Sequence, residues 1–453
     1  MILRTDMHNT HQATLRILMV LLMLILLTSF ACAVGTDMTS TDISGPSVQT
    51  IDIEYPDLIT PEISWQHCLG KVHSNQSYIM EQTSDGGYVV LKRSEPDATG
   101  VTVTNRNDEF WMAKLSPAGD IAWQKRPGTI PSNTLTGTQQ PDSCNMSPGE
   151  RFEPYFVNGS GTTDSYDTWM GKFTHDGYLS WEKILQGILH GEAHGIRQMS
   201  DGGYLLVGSV KSRGDTNSSD HGDLDYWVVR LTPSGDLSWE KTFGGSKDDL
   251  GYNAWQTPDG GYIIAGASSS DDGHVSGNHG DLDYWIVKLT PDGHLSWATS
   301  LGGADRDQPY AIQQTADSGY IIAGRSRSND GDVTGNHGDF DFWIVKLTPA
   351  GIISWEQSLG GTGNDEAHSI MQTRDGGFII AGGSESWNGD VTGNHGNFDY
   401  WVVKLAPDGS MKWQKSLGGS KDDVGQSIMQ TRDGGYLLSG VSHSDDGDIA
   451  GNR

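Results

Sequence analysis

Residues Tyr252–Trp297, YNAWQTPDGGYIIAGASSSDDGHVSGNHGDLDYWIVKLTPDGHLSW, contain four short strand-like runs separated by Gly- and Asp-rich turns. YNAWQT alternates in polarity and runs into Pro258-Asp259-Gly260-Gly261, the turn chemistry that joins antiparallel strands. YIIAG reads as a second, more buried strand. After a loop of Gly, Ser, Asp and Asn comes DYWIVKL, aromatic and β-branched, as a third. In Thr290-Pro291-Asp292-Gly293 the Pro presets φ and the Gly accepts positive φ, so HLSWATS follows as a fourth.

The Trp that ends this unit recurs at 65, 123, 181, 239, 297, 355 and 413, every interval being 58 residues. A fixed period of this length marks a repeat architecture, and four antiparallel strands per period make one propeller blade. The period leaves no room for a helix. The expected fold is therefore all-β, a seven-bladed β-propeller of 58-residue four-stranded repeats. Seven periods of 58 make 406 residues, and 453 minus 406 leaves 47, which places the propeller at 48–453. Arg453 is in register with His395, so the last copy holds only its first two strands, GQSIMQT and YLLSG. TIDIEYPDL (50–58) and PEISWQ (61–66) are expected to supply the third and fourth. N-terminal strands pairing with the C-terminal half blade would close the ring and remove open sheet edges. The blade ending at Trp181 carries Ser143-Cys144-Asn145 in place of Asp-Gly-Gly and reads as degenerate.

Ahead of the repeats, Arg4 and Arg16 precede the unbroken apolar run ILMVLLMLILL (17–27), and Ser29, Ala31, Cys32 and Ala33 follow it. This is the pattern of a secretory signal peptide over 1–33. Cleavage after Ala33 would release a soluble protein. Cleavage before Cys32 with lipid on its thiol would resemble a bacterial lipoprotein, although Ser29-Phe30-Ala31-Cys32 departs from Leu-Ala-Gly-Cys. An uncleaved anchor from Ile17 to about Gly35 is also long enough to span a bilayer. Each alternative places the body of the protein outside the cytoplasm, secreted or at the cell surface. Residues 34–47, rich in Thr, Ser, Asp and Gly, read as a flexible linker.

The chain carries 30 Lys and Arg against 58 Asp and Glu, a net charge of −28, which disfavours nucleic acid and anionic headgroups as partners. Membrane contact is expected only through a lipid or the N-terminal anchor, and a monomer is expected. With Cys32 processed, Cys68 and Cys144 remain, as a bridge or as two thiols.

The strings KLTPDGHLSW (288–297), KLTPAGIISW (346–355) and KLAPDGSMKW (404–413), with the Leu-Gly-Gly that follows, resemble the Trp-docking repeat of bacterial propellers. The whole unit is similar to the SBBP-type β-propeller repeat of secreted bacterial and archaeal surface proteins. The resemblance covers about 48–453 and implies a fold rather than a ligand. Quinoprotein dehydrogenases also use Trp-docking blades, usually eight with a vicinal Cys pair, whereas this chain has seven repeats and no adjacent cysteines.

A residue repeated in every blade is most simply structural. His221, His279, His337 and His395 stand one per blade, as do Asp225, Asp283, Asp341 and Asp399, and are expected to fix loops by hydrogen bonds. His190-Gly191-Glu192-Ala193-His194 shares its register with Asp365-Glu366-Ala367-His368 and is not expected to be a ligand cluster. Calcium is the one cofactor the composition suggests, as a structural ion at Asp271, Asp272, Asp330, Asp332, Asp446 and Asp448, although no bidentate Glu completes an EF-hand pattern. Positions 211, 269, 327, 385 and 443 vary as Lys, Ser, Arg, Glu and His on the same loop-rich acidic face. The candidate ligand-binding residues are accordingly Arg325, Arg327, Glu385, Trp387 and His443. No catalytic residue emerges. An enzyme would need paired carboxylates, or a His/Arg/Tyr set, confined to one or two blades. The expected function is an exported, non-catalytic scaffold binding a glycan or protein ligand. The alternatives are a carbohydrate-active lyase or glycoside hydrolase and an architectural envelope protein without a ligand.

Overall fold

The computed structural model describes residues 2–6, 62–67, 75–83, 85–94, 109–125, 134–137, 155–160, 166–173, 179–188, 192–211 and 224–449. Among them every regular element is a strand, and the strands form seven four-stranded antiparallel sheets, the repeated units of a β-propeller. In the unit quoted above the strands are Asp249–Gln256, Tyr262–Ser268, Asp283–Leu289 and Leu295–Leu301, paired in chain order. First strands of successive sheets lie against one another and so face the axis. Fourth strands lie outermost, with Leu237, Leu295 and Met411 exposed.

One sheet combines the two ends of the chain, in the order Glu62–His67, Ile2–Asp6, Tyr436–Ser442 and Asp423–Gln430. The fourth-strand expectation at 61–66 is met. The third position, expected from TIDIEYPDL, is held by Ile2–Asp6, with Leu3 opposite Gln66 on one side and Leu438 on the other. Ladder bonds are made by backbone, so several short extended segments can suit one slot; residues 50–58 lie outside the described residues. This sheet meets the next through Met429 and Leu437, which pack with Met80, Tyr88, Val90 and Leu115. There Arg432 N donates to Gln82 Oε1 at 3.2 Å, as Ser200 N donates to Gln256 Oε1 at 2.8 Å elsewhere. The blade without an Asp-Gly-Gly turn keeps four strands, Thr134–Gly137, Tyr155–Ser160, Tyr166–Phe173 and Leu179–Ile188. Its long connection falls between the first and second strands instead of the second and third. Cys68 and Cys144 lie outside the described residues.

The repeated strings now have physical causes. In Gln-Thr-x-Asp-Gly-Gly the Asp259 carboxylate accepts Gly261 N at 2.9 Å and holds Lys288 Nζ, also at 2.9 Å. Lys288 lies buried on the third strand, so the turn and the Lys-Leu string specify each other. Sheets join through aromatic pairs on third strands. Tyr226 sits 4.4 Å from the next sheet's Trp285, centroid to centroid, and donates its hydroxyl to the Trp285 carbonyl at 2.7 Å. The Tyr284–Trp343 and Phe342–Trp401 pairs repeat this at 4.5 Å. The period-marking Trp239 is only partly buried, against Tyr262 of the next sheet at 5.8 Å.

Four first strands open on a buried Asp, at 249, 307, 365 and 423. Asp307 Oδ2 accepts Gly303 N at 2.8 Å and Ser328 Oγ at 2.9 Å. Asp283 lies across Gly302, where a Cβ would come within 2.5 Å of Asp307 and 2.9 Å of Asp283; this is why Leu-Gly-Gly recurs. Burial pushes the carboxyls of Asp249, Asp307 and Asp365 up to about 6.

Two predictions follow from these joints. Gly266→Ala places a Cβ 2.0 Å from the Leu250 carbonyl and 2.4 Å from the Tyr226 hydroxyl. It is expected to remove about 3 kcal/mol or more in denaturant unfolding. Gly277→Ala meets nothing within 4 Å at φ +78°, and is expected to lose only about 1 kcal/mol for the left-handed backbone. The second prediction concerns pH. Carboxyls raised on folding stabilise the fold below their unfolded values and lose that contribution as pH rises through about 6. His279 acts in the same sense: burial pushes its imidazole down, but Asp283 overcomes this and leaves it raised, so its contribution too fades with rising pH. Unfolding free energy is therefore expected to fall by at least about 2 kcal/mol from pH 5 to pH 8. Asp307→Asn should flatten that slope in calorimetry.

Candidate functional site

A β-bulge interrupts the first strand of each near-consensus sheet. The register shifts between Ala193 and Gly195, Gly251 and Asn253, Pro309 and Ala311, Ala367 and Ser369, and Gly425 and Ser427. The residue skipped in each case is His194, Tyr252, Tyr310, His368 or Gln426, all one register of the 58-residue period. A bulged residue has no partner across the ladder, and its side chain is re-aimed. On strands that face the axis, the repeat thus presents three kinds of side chain, His, Tyr and Gln, from five blades.

Four of these side chains form a continuous series. Ring centroids are 5.4 Å apart for His194–Tyr252, 6.0 Å for Tyr252–Tyr310 and 5.2 Å for Tyr310–His368. Beside them opens a cavity of about 120 Å³ whose lining includes His194, Asn253, Trp255, His368, Gln426 and Ser427. Arg197 lies buried at its wall, 3.9 Å above the Trp255 ring.

Towards the loop-rich face the series meets a second set of blade-specific groups. Arg325 Nη1 donates to Glu366 Oε1 of the next blade, and its Nη2 to Gln308 Oε1 at 3.0 Å. Gln308 Nε2 donates to the Tyr252 hydroxyl at 2.5 Å, and the Tyr310 hydroxyl donates to Gln308 Oε1 at 3.3 Å. His368 Nε2 faces Glu366 Oε2 at 3.4 Å, and the Arg325 guanidinium stacks 4.3 Å over Phe340. Burial pushes Glu366 up, but the His368 hydrogen bond and the Arg325 charge overcome it, so the carboxyl stays below its usual range. Burial raises the Tyr310 hydroxyl far above its usual value, which keeps it neutral. Arg325 Nε and His368 Nδ1 are buried without a hydrogen-bond partner. With Nε2 turned to Glu366, Nδ1 is the ring nitrogen of His368 left without a partner.

Of the loop residues nominated from sequence, only Arg325 belongs to this cluster. Arg327 pairs with Asp339 at 3.5 Å on the surface, Glu385 accepts from Asn364 Nδ2 at 2.8 Å, His443 Nδ1 lies 3.1 Å from the Asp422 carbonyl, and Trp387 is 65% exposed. The candidate calcium carboxylates mostly bind backbone. Asp272, Asp330 and Asp446 accept from Ser246 N at 2.6 Å, Ala304 N at 2.8 Å and Ser420 N at 2.7 Å. Asp271 accepts from Gly277 N at 3.2 Å and Asp332 from Gly302 N at 3.3 Å, while Asp448 lies 3.9 Å from His395. Among the described residues no group of three or more His, Cys, Asp or Glu could hold a metal ion. His279, His337 and His395 each place Nδ1 2.8 Å from the Asp four residues on, the loop-fixing role expected of them; His221 and His190 lie outside the described residues. His194, Tyr252, Gln308, Tyr310, Glu366 and His368 were not nominated. Their signal was disagreement between copies within one strand register.

No protein-family model and no curated protein matches the chain. Solved structures do resemble it at low identity. Sqt1 from Chaetomium thermophilum is 13% identical with a TM-score of 0.40, over 79% of this chain and 75% of that one. A puromycin hydrolase is 11% identical with a TM-score of 0.44, over 79% of this chain and 49% of that one. The arabinofuranosidase Arb93A from Fusarium graminearum is 12% identical with a TM-score of 0.39, over 70% and 94%. Among the described residues no helix is long and apolar enough to cross a membrane.

Arg325→Leu removes the charge that holds Glu366 down. Its carboxyl titration, followed by carbon-13 NMR, is expected to move up. An unmoved midpoint would mean that the ion pair does not form in solution.

Proposed function

We propose that the chain is an exported scaffold, secreted or held at the cell surface, that binds a glycan or protein ligand without transforming it, and that the seat is the axial cavity, whose lining runs from the bulged positions towards the Asp-Gly-Gly turns. The closed seven-bladed ring belongs to this reading. One observation carries it: the bulged positions 194, 252, 310, 368 and 426 break the repeat at the axis, where a purely structural ring gains nothing from variety. An architectural role alone leaves that variety without a cause.

The convergence of His194, Tyr310, Arg325 and His368 favours an enzyme as the second reading, a lyase or glycoside hydrolase. The bonding argues against it. A glycoside hydrolase uses two carboxylates flanking the scissile bond, and this cluster supplies one, Glu366. A lyase would need Arg325 to neutralise the substrate carboxylate, yet Arg325 is already neutralised by Glu366.

The test is capture on arrays of glycans and of extracellular proteins by the full chain, with Tyr310→Ala and Trp387→Ala beside the native sequence. Capture abolished by Tyr310→Ala and retained by Trp387→Ala is expected. The reverse pattern places the ligand on the outer loops, and release of shortened glycans restores the enzyme reading. Channel binding uses none of the loop aspartates, so EDTA should leave capture unchanged; its loss would restore the calcium expected at Asp271, Asp272, Asp330, Asp332, Asp446 and Asp448. Export with cleavage near Cys32 or Ala33 removes Ile2–Asp6 from the sheet it completes, and N-terminal sequencing of extracellular protein reads which end is present.

A further inference from the structure

Accepting that the seat is the axial cavity, we infer its ligand class: one uncharged, hydroxyl-rich ring, the terminal unit of a neutral glycan, entering end-on. Size, charge and surface chemistry each restrict the occupant, and they agree.

Size comes first. About 120 Å³ is well below the roughly 300–1,000 Å³ of pockets that enclose a drug-sized ligand. A single sugar ring fits such a space, and a chain laid lengthwise does not. The cavity lies along the axis among first strands, so a longer molecule has to present its end.

Charge excludes the ionic classes. The net charge of −28 repels uronate-bearing or sulfated chains before they reach the mouth. Arg325 offers an anion little, because Glu366 already neutralises it. Arg197, buried over Trp255 at the cavity wall, opposes an ammonium group despite the aromatic walls; locally its charge favours an anion, and it is the overall net charge of −28 that disfavours an anionic chain.

The surface that remains is made for hydroxyls and C–H faces. Asn253, Gln426, Ser369 and Ser427 offer neutral donors and acceptors, and His194, His368 and Trp255 offer rings. An aromatic face, with its negative quadrupole, suits the C–H groups of a pyranose. His368 Nδ1, buried and without a partner, suits a sugar hydroxyl, which can donate to it or accept from it. His194 and His368, the two ends of the aromatic series, both line the cavity, and Tyr310 packs behind His368 at 5.2 Å, so a ring meets more than one blade.

The experiment is saturation-transfer NMR with quenching of Trp fluorescence, on the full chain, against cellohexaose, maltohexaose, mannohexaose and chitohexaose, with oligogalacturonate and choline as charged probes. At least one neutral hexamer is expected to bind, with saturation transfer strongest at its terminal ring and quenching at Trp255. Asn253→Ala and Tyr310→Ala should each weaken it about tenfold or more, and Tyr310→Phe should retain most of it, with unfolding midpoints confirming that each variant folds. Binding of choline or oligogalacturonate in place of neutral sugars, weakened by Asn253→Ala, overturns the ligand class and leaves the axial seat standing. Binding of a neutral hexamer that is indifferent to Asn253→Ala and Tyr310→Ala overturns the axial seat itself. Absence of binding across the neutral panel overturns the inference, whatever protein arrays then show.

Discussion

The structure depends on one contact repeated around the axis, an aromatic residue on the third strand of one sheet inserted against the Trp of the next. Tyr226 meets Trp285 over 4.4 Å and ties it with a hydrogen bond to backbone, in the space left by the absent side chain of Gly266. Trp227, Trp285, Trp343 and Trp401 are the largest fully buried side chains. Burying rings of this size on both sides of each sheet gives neighbouring blades a common core, as in the cluster that joins Tyr226 and Val228 to Trp285 and Val287. Because each blade depends on its neighbours, the third-strand and turn residues change little from copy to copy. Variation is concentrated in the loops and along the first strands, with Arg325 near the end of a second strand.

That division explains what the sequence could and could not reveal. The strand count, the turns and the 58-residue period follow from Asp-Gly-Gly, Thr-Pro-Asp-Gly and the spaced Trp residues, each a local device with a local signature. The role of His279 and its equivalents was legible for the same reason, since its partner Asp283 lies four residues away. The identity of the third strand in the end-spanning sheet was not legible. Ile2–Asp6 lies far from Tyr436–Ser442 in sequence, and an alternating segment at 50–58 fits the same pattern. Trp239 and its equivalents mark the period, but the Trp on the third strand carries the buried contact.

The site was hidden by its backbone geometry. A bulge adds no sequence signal of its own, so His194 and His368 look like two more members of a repeated register. Only the pairing shows that these residues are skipped by the ladder and released towards the axis. Arg325 could be nominated because it replaces Ala267 and Gly383, but its partner Glu366 belongs to another blade, 41 residues further along the chain. Polar specificity in this molecule is therefore assembled across blade boundaries from departures that are individually unremarkable.

The central claim is that axial bulge positions, and not the outer loops, carry the function. The most direct measurement is ligand capture by a chain in which His194, Tyr252, Tyr310 and His368 are all replaced by Gln, the residue that stands at 426. The account predicts sheet content close to the native protein, because the bulged residues have no ladder partners, together with loss of capture of every ligand that the native chain holds. A folded fourfold variant that still captures those ligands would contradict it and return the function to the loops.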